Sequence, residues 1–208
     1  MELLLQNFWA YTITGLTWGA VYAMIALGYT LVYGVLRLIN FAHSEVFMFG
    51  SFAAVWILTA FKAGQSDVAG IAGFLIMGTI AAMAVSGLVA LVLEYVAYRP
   101  LRKRNSPPLI ALISAIGASF VLSELMGLRD KPFILMGNEA QFQDYVGRPR
   151  ENAVLPSFIS AAPLFKVCDY DVTNIDLIVL VSALIMMVAL AQFVSRSRLG
   201  RGIRAVAQ

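Results

Sequence analysis

Residues Leu3 to Leu36 read LLLQNFWAYTITGLTWGAVYAMIALGYTLVYGVL, a run without a single aspartate, glutamate, lysine or arginine. A hydrocarbon layer about 30 Å thick needs roughly 20 apolar residues in helical form to cross it, so this run is long enough with residues to spare. It is also too long for the apolar core of a secretory leader and has no basic flank before it. The expectation is a membrane span rather than a cleaved leader.

The pattern recurs along the chain. Further apolar runs extend from Val46 to Phe61, Val68 to Leu93, Leu109 to Leu128 with Glu124 as its one charge, and Leu177 to Val194. These runs predict five spans, at about 10–34, 39–61, 69–95, 109–128 and 175–195, in a single transmembrane domain covering 1–208. The composition agrees. The 208 residues are 60% hydrophobic and 13% charged, with a mean hydropathy of +0.80. A soluble domain carries about 25% charge, so too little charge is present here to cover a globule. Abundant apolar residues exclude a disordered chain, and a lone cysteine, Cys168, excludes a disulfide framework within the chain. The fold class expected is an all-α, polytopic helical bundle in a membrane.

The second span is irregular. Its apolar part is short, so segment 38–45 (LINFAHSE) must supply the missing turns. Polar side chains and a helix break within a bilayer require protein or a wet cavity beside them. Orientation follows from the basic residues. Arg99, Arg102, Lys103 and Arg104 lie between spans three and four, and Arg196, Arg198, Arg201 and Arg204 follow span five. With Arg37, they put nine basic and two acidic residues on one face. Such an excess marks the cytoplasm. The N-terminus is therefore expected outside and the C-terminus inside. Segment 129–174 is expected outside as a proline-interrupted cap with a short hairpin or interfacial helix, and segment 196–208 is expected to be cytoplasmic.

Small residues four apart suggest helix packing, since lipid gives apolar helices no solvent-driven reason to associate. Span three has Gly78, Ala82, Ser86 and Ala90; span four has Ala111, Ala115, Ser119 and Ser123; span one has Gly15, Gly19 and Ala23. Several chemistries find no support. No Gly-Lys dipeptide occurs, so there is no Walker A loop. One histidine and one cysteine do not make a usual structural zinc site. No metal, cofactor, catalytic residue or nucleic-acid partner is expected, and the chain is not expected to be an enzyme. Any nucleotide hydrolysis would belong to another subunit.

Charged and polar groups inside spans cost a few kcal/mol and are functional candidates by default. Asn40, His43 and Glu45 sit at the interruption before span two. There they either face a translocation path or form a polar helix cap, with Asn40 or Ser44 serving backbone N–H groups. Glu94 is expected to take an interfacial role, paired with Arg99 or Arg102 at the inner boundary. Glu124 is either interfacial or part of an outer vestibule. Arg201 and Arg204, three apart, give the last segment a basic side that would bind anionic lipid or dock a cytoplasmic partner.

These stretches together resemble the permease subunits of branched-chain amino acid ABC importers. The resemblance rests on Gly15–Gly34 and on Ile39–Gly50 (INFAHSEVFMFG), which is similar to the family's INFAHGE signature. It rests further on Glu94–Arg102 followed by Leu109–Ser119, and on Ser197–Gln208. It implies a second homologous permease, two cytoplasmic ATPase subunits and a periplasmic or extracellular binding protein, in a bacterial plasma membrane. It also implies that Arg198, Gly200, Arg201, Arg204 and Ala205 begin the element that grips the ATPase. Glu94, Arg99, Pro100 and Arg102 would form the inner-loop motif, and Asn40, His43, Glu45 and Glu124 would lie on the path. Relatives that carry urea or short amides, or an ATP-independent transporter or channel, are the alternatives. Two departures stand out. Ser44 replaces a family glycine, which disfavours positive φ there. Family members are also longer, so the chain is expected to lack their C-terminal part.

Overall fold

A computed structural model describes residues 7–36, 40–61, 68–129, 131, 161–167, 170–198 and 200–202. In chain order the elements are α1 (Phe8–Leu36), α2 (His43–Ala60), α3 (Val68–Leu93), a π-helical turn (Glu94–Tyr98), α4 (Arg99–Lys103), α5 (Pro108–Gly127), β1 (Pro163–Val167), β2 (Tyr170–Thr173) and α6 (Asn174–Arg196). Five helical stretches are long and apolar enough to cross a membrane: Phe8–Gly34, His43–Ala60, Gly70–Lys103, Leu109–Gly127 and Asn174–Arg196. Most of their large apolar side chains face outward, among them Leu91 at 69% and Phe120 at 72% exposure. That is the distribution a lipid solvent requires. Arg37, Cys168, Leu199 and most of segment 129–174 lie outside the described residues.

The chain divides into two compact units. In the unit spanning 38–158, α2 and α3 pack antiparallel. The ridge of small residues on α3 makes the contact: Gly50 of α2 lies against Ala82 and Ser86, and Gly78 lies against Ala54 and Leu58. Phe61 stacks on Phe74 at 5.9 Å beyond the ends of that seam. Ala111 and Ala115 of α5 are buried at 7% and 0% exposure, and Ala115 clusters with Ala42, Val46, Leu93 and Tyr98. Ala90 and Ser123 are exposed, so each ridge is used over part of its length only.

The third span departs from its expected end at 95. The helix continues to Lys103 through the π turn. Pro100 explains the irregularity. In a regular helix its ring would collide with the carbonyl four residues back. Widening by one residue relieves this, and Arg99 N–H donates to the Glu94 carbonyl in the i→i+5 pattern. The helix then stops at a two-bond cap. Asn105 takes φ 48°, its N–H reaches the Arg102 carbonyl, and Ser106 N–H reaches the Leu101 carbonyl. Asparagine is among the few side chains that tolerate this left-handed position. Pro107 and Pro108 then start α5, proline at a first helical turn sacrificing no bond.

In the unit comprising 1–37 and 159–208, β1 and β2 form an antiparallel hairpin with Lys166 opposite Asp171. Thr173 then caps α6. Its hydroxyl accepts from Asp176 N–H at 3.3 Å, and the Asp176 carboxylate accepts from Thr173 N–H at 3.2 Å, a reciprocal box that satisfies two free donors. The same carboxylate accepts from the Thr17 hydroxyl of α1 at 3.3 Å, and Thr14 meets Tyr170 at 3.5 Å. These contacts tie α1 to the first turn of α6 and to the strand that leads into it. The glycine ridge on α1 is not a seam in this structure, since a Cβ at Gly15 or Gly19 would meet open space.

The α2–α3 seam yields a contrast. A Cβ at Gly50 would lie 3.0 Å from the Ala82 carbonyl oxygen, whereas one at Gly78 would find only contacts of 3.6 Å and longer. Gly50→Leu should destabilise the protein by about 1–3 kcal/mol and Gly78→Ala should be nearly neutral. Unfolding in mixed micelles would measure both, and equal effects would contradict this seam.

Candidate functional site

The signature segment places Asn40 at the centre of a small polar junction. Its side-chain Oδ1 accepts from the Ala42 N–H at 3.0 Å and from the Tyr98 hydroxyl at 2.6 Å. Its backbone carbonyl accepts from the His43 N–H at 3.2 Å. The first bond is the local turn that asparagine favours, and it supplies a partner to a donor at the start of α2. Ala42 is fully buried, so that donor could not be left to solvent. Asn40 thus braces Ala42, the N-cap residue, through a side-chain turn that precedes the helix, and among the described residues no side chain caps the first turn of α2 itself. Ser44 lies in the first helical turn, which needs no positive φ, and its hydroxyl donates to Glu45 at 2.9 Å.

This junction is set back from the basic end of the third span. Tyr98 precedes Lys103 by five residues, roughly 8 Å of helix rise. The 18 residues of α2 span roughly 27 Å, short of a full hydrocarbon layer. So α2 begins inside the depth that the third span crosses, with His43 half-buried and Glu45 partly buried at its first turn.

The π turn builds the neighbouring pair. Glu94 and Arg102 form an ion pair, one of the two pairings expected for Glu94. Eight residues of regular helix would leave them roughly 80° apart around the axis. The additional residue taken up by the π turn makes them behave as about seven apart, close to one face. Arg99 instead lies over the Tyr95 ring at 5.3 Å, and Pro100 begins the turn after it.

The remaining candidates lie elsewhere. Glu124 stands in the last turn of α5, nine residues past Ala115, roughly 13 Å farther along the axis; it is exposed and does not join the Asn40 junction. Beyond α6 the chain breaks at Ser197, whose backbone is extended at ψ 157°. The Ser197 hydroxyl then accepts from Gly200 N–H at 2.8 Å, and its carbonyl accepts from Arg201 N–H at 3.1 Å, opening a new helical turn that carries Arg198 and Arg201. Gly200 has no room for a side chain, because a Cβ there would collide with the Val194 carbonyl and lie 2.6 Å from that of Phe193. Arg204 and Ala205 lie outside the described residues.

Three contributors were not anticipated from sequence. Tyr98 carries no signal in the sequence that points to Asn40. Ser197 had a usable signal, a serine between an apolar helix and a basic turn. Asp176 had one as well, in the Thr-x-x-Asp spacing before an apolar run.

Five helices apolar and long enough to cross a membrane define a helical membrane protein. The comparisons agree: residues 11–208 match the family described as branched-chain amino acid transport system / permease component, and the chain belongs to that family. It is 33% identical over 197 residues to the high-affinity branched-chain amino acid transport system permease protein LivH of Salmonella typhimurium, covering 93% of this chain and 57% of that protein. The corresponding LivH of Escherichia coli strain K12 is 33% identical over 199 residues. BraD of Pseudomonas aeruginosa, named as the same kind of permease protein, is 36% identical over 202 residues, covering 94% of this chain and 58% of that protein. The chain thus spans a little over half the length of these relatives. No solved structure matches.

The Asn40–Tyr98 bond gives a test of the junction. Asn40→Ala and Tyr98→Phe, made singly and together, should show a coupling of about 1 kcal/mol in a double-mutant cycle read by unfolding in micelles. Additive effects would mean that the bond contributes nothing.

Proposed function

We propose that this chain is the membrane-spanning part of a permease subunit for ATP-driven import of branched-chain amino acids. The match over residues 11–208 to a permease family of that transport system is the observation that carries the reading. The names of the LivH and BraD relatives support the cargo. In this reading the chain sits in a bacterial plasma membrane with its basic helix ends in the cytoplasm, as the distribution of arginines favours. A second homologous permease completes the pathway, a binding protein delivers leucine, isoleucine or valine from outside, and two ATPase subunits supply the energy from inside.

The residues take distinct roles. Asn40 fixes the start of α2, so the N–H groups of its first turn and the side chains of His43 and Glu45 border the path at its inner end. Oriented helix N-termini of this kind favour anionic groups, and an amino acid carries a carboxylate. Glu124 belongs to the outer mouth. Arg198, Gly200, Arg201, Arg204 and Ala205 begin the coupling element, where the break at Ser197 turns the chain out of the line of α6. Movement of the ATPases transmitted through that element would shift the bundle between inward-open and outward-open states, driven by differential contacts in the two.

The test is made in the host cell. Deleting the gene should abolish high-affinity uptake of labelled leucine, isoleucine and valine, and the intact gene should restore it. Arg201→Glu/Arg204→Glu should insert in the membrane yet restore less than about a tenth of uptake, since two reversed contacts at 1–3 kcal/mol each exceed a tenfold effect. Full uptake in that variant would remove the coupling role. Unchanged uptake in the deletion strain would remove the cargo.

A further inference from the structure

We propose that the groove beside the π turn is a seat for an anionic glycerophospholipid, holding its phosphate headgroup at the basic end of the third span. Tyr95, Arg99, Pro100, Lys103 and Arg104 line this open groove of about 440 Å³. Cavities of a few hundred Å³ hold small polar groups.

Charge is the first argument. Glu94 is occupied by Arg102. Among the described residues no carboxylate lies within ion-pair distance of Arg99, Lys103 or Arg104. Three positive side chains therefore converge on one groove without a counter-charge among the described residues. Arg99 rests on the Tyr95 ring, and the backbone that carries Arg104 is held by its N–H, shared between the Pro100 and Leu101 carbonyls.

Depth is the second argument. The 26 residues of α3 rise roughly 39 Å, more than the hydrocarbon thickness of about 30 Å. The turn that follows falls at headgroup level, where tyrosine is enriched and phosphate is at its densest. Shape is the third. Leu88, Leu91 and Val92, exposed at 64%, 69% and 55%, lead away from Tyr95 along the helix at spacings of three and four. A cationic groove at one end of an exposed apolar stripe matches a molecule with an anionic head and an acyl tail. The stripe places acyl chains directly beside the groove, where a soluble acidic partner would meet lipid.

Spin-labelled phosphatidylglycerol and phosphatidylcholine, compared on the purified full chain, test the seat. The ratio of their association constants should be about 5 or more, since each cation near the surface contributes roughly 1 kcal/mol. Arg99→Gln/Lys103→Gln/Arg104→Gln should bring the ratio close to 1. Tyr95→Leu keeps every charge but removes one wall, and should at least halve it. An equal association of both lipids with the unaltered chain overturns the proposal. So does a preference that survives the triple substitution, or one untouched by Tyr95→Leu, which would reflect a diffuse field only. If the triple variant keeps its lipid preference but loses a co-purifying cytoplasmic subunit, the groove is a protein contact and the proposal falls.

Discussion

The chain entering a buried helix start carries N–H groups that must find partners within the protein, and in this chain Asn40 meets that constraint. One side-chain oxygen takes the Ala42 N–H and the Tyr98 hydroxyl together. Tyr98 is in place because the third span loosens into a π turn ahead of Pro100. The proline thus acts at a distance: it forces the turn, the turn sets the face on which Tyr98 emerges, and Tyr98 anchors the segment from which α2 grows. Gly50, two turns into α2, then allows the close approach to Ala82 and Ser86 that holds the pair of helices together.

The other unit answers the same constraint differently. At the start of α6 the free donors are met by the Thr173–Asp176 box, and the second oxygen of Asp176 is spent on Thr17 of a neighbouring helix. A carboxylate in such a place costs several kcal/mol unless its lone pairs are filled; here capping fills one oxygen and the helix contact fills the other. In both units the polar group that begins a helix is also the group that ties it to its neighbour.

What the sequence revealed follows from the range over which each feature is decided. Span number and approximate limits depend on runs of apolar residues, which are local and plain to read. The α2–α3 seam was half legible. Residues four apart mark a ridge, and Gly78, Ala82 and Ser86 do pack, but the same spacing at Gly15 and Gly19 faces open space. Spacing identifies a surface that can pack and does not identify its partner. The π turn was hidden because it is a change of hydrogen-bond register, although Pro100 stood in view as its cause. For the polar candidates, sequence left Asn40 between path and cap; its bonds make it the turn that leads into α2, while His43 and Glu45 lie in the first turn of the helix. Glu124 was grouped with them by residue type, and its separation along α5 could not be read without the packing of α5 on α2.

In lipid an exposed leucine costs nothing, so Leu91 and Phe120 at about 70% exposure carry no message about partners, whereas in water the same surface would. Information moves instead to polar side chains, each of which must be matched or placed at a boundary. The described charges of the third span separate cleanly by this criterion. Glu94 and Arg102 cancel each other across the π turn. Arg99, Lys103 and Arg104 remain uncancelled and gathered on one groove, at the level where a bilayer supplies negative charge of its own. The π turn that anchors α2 from its inner face therefore also shapes what its outer face presents, so that a substitution at Pro100 would disturb both at once.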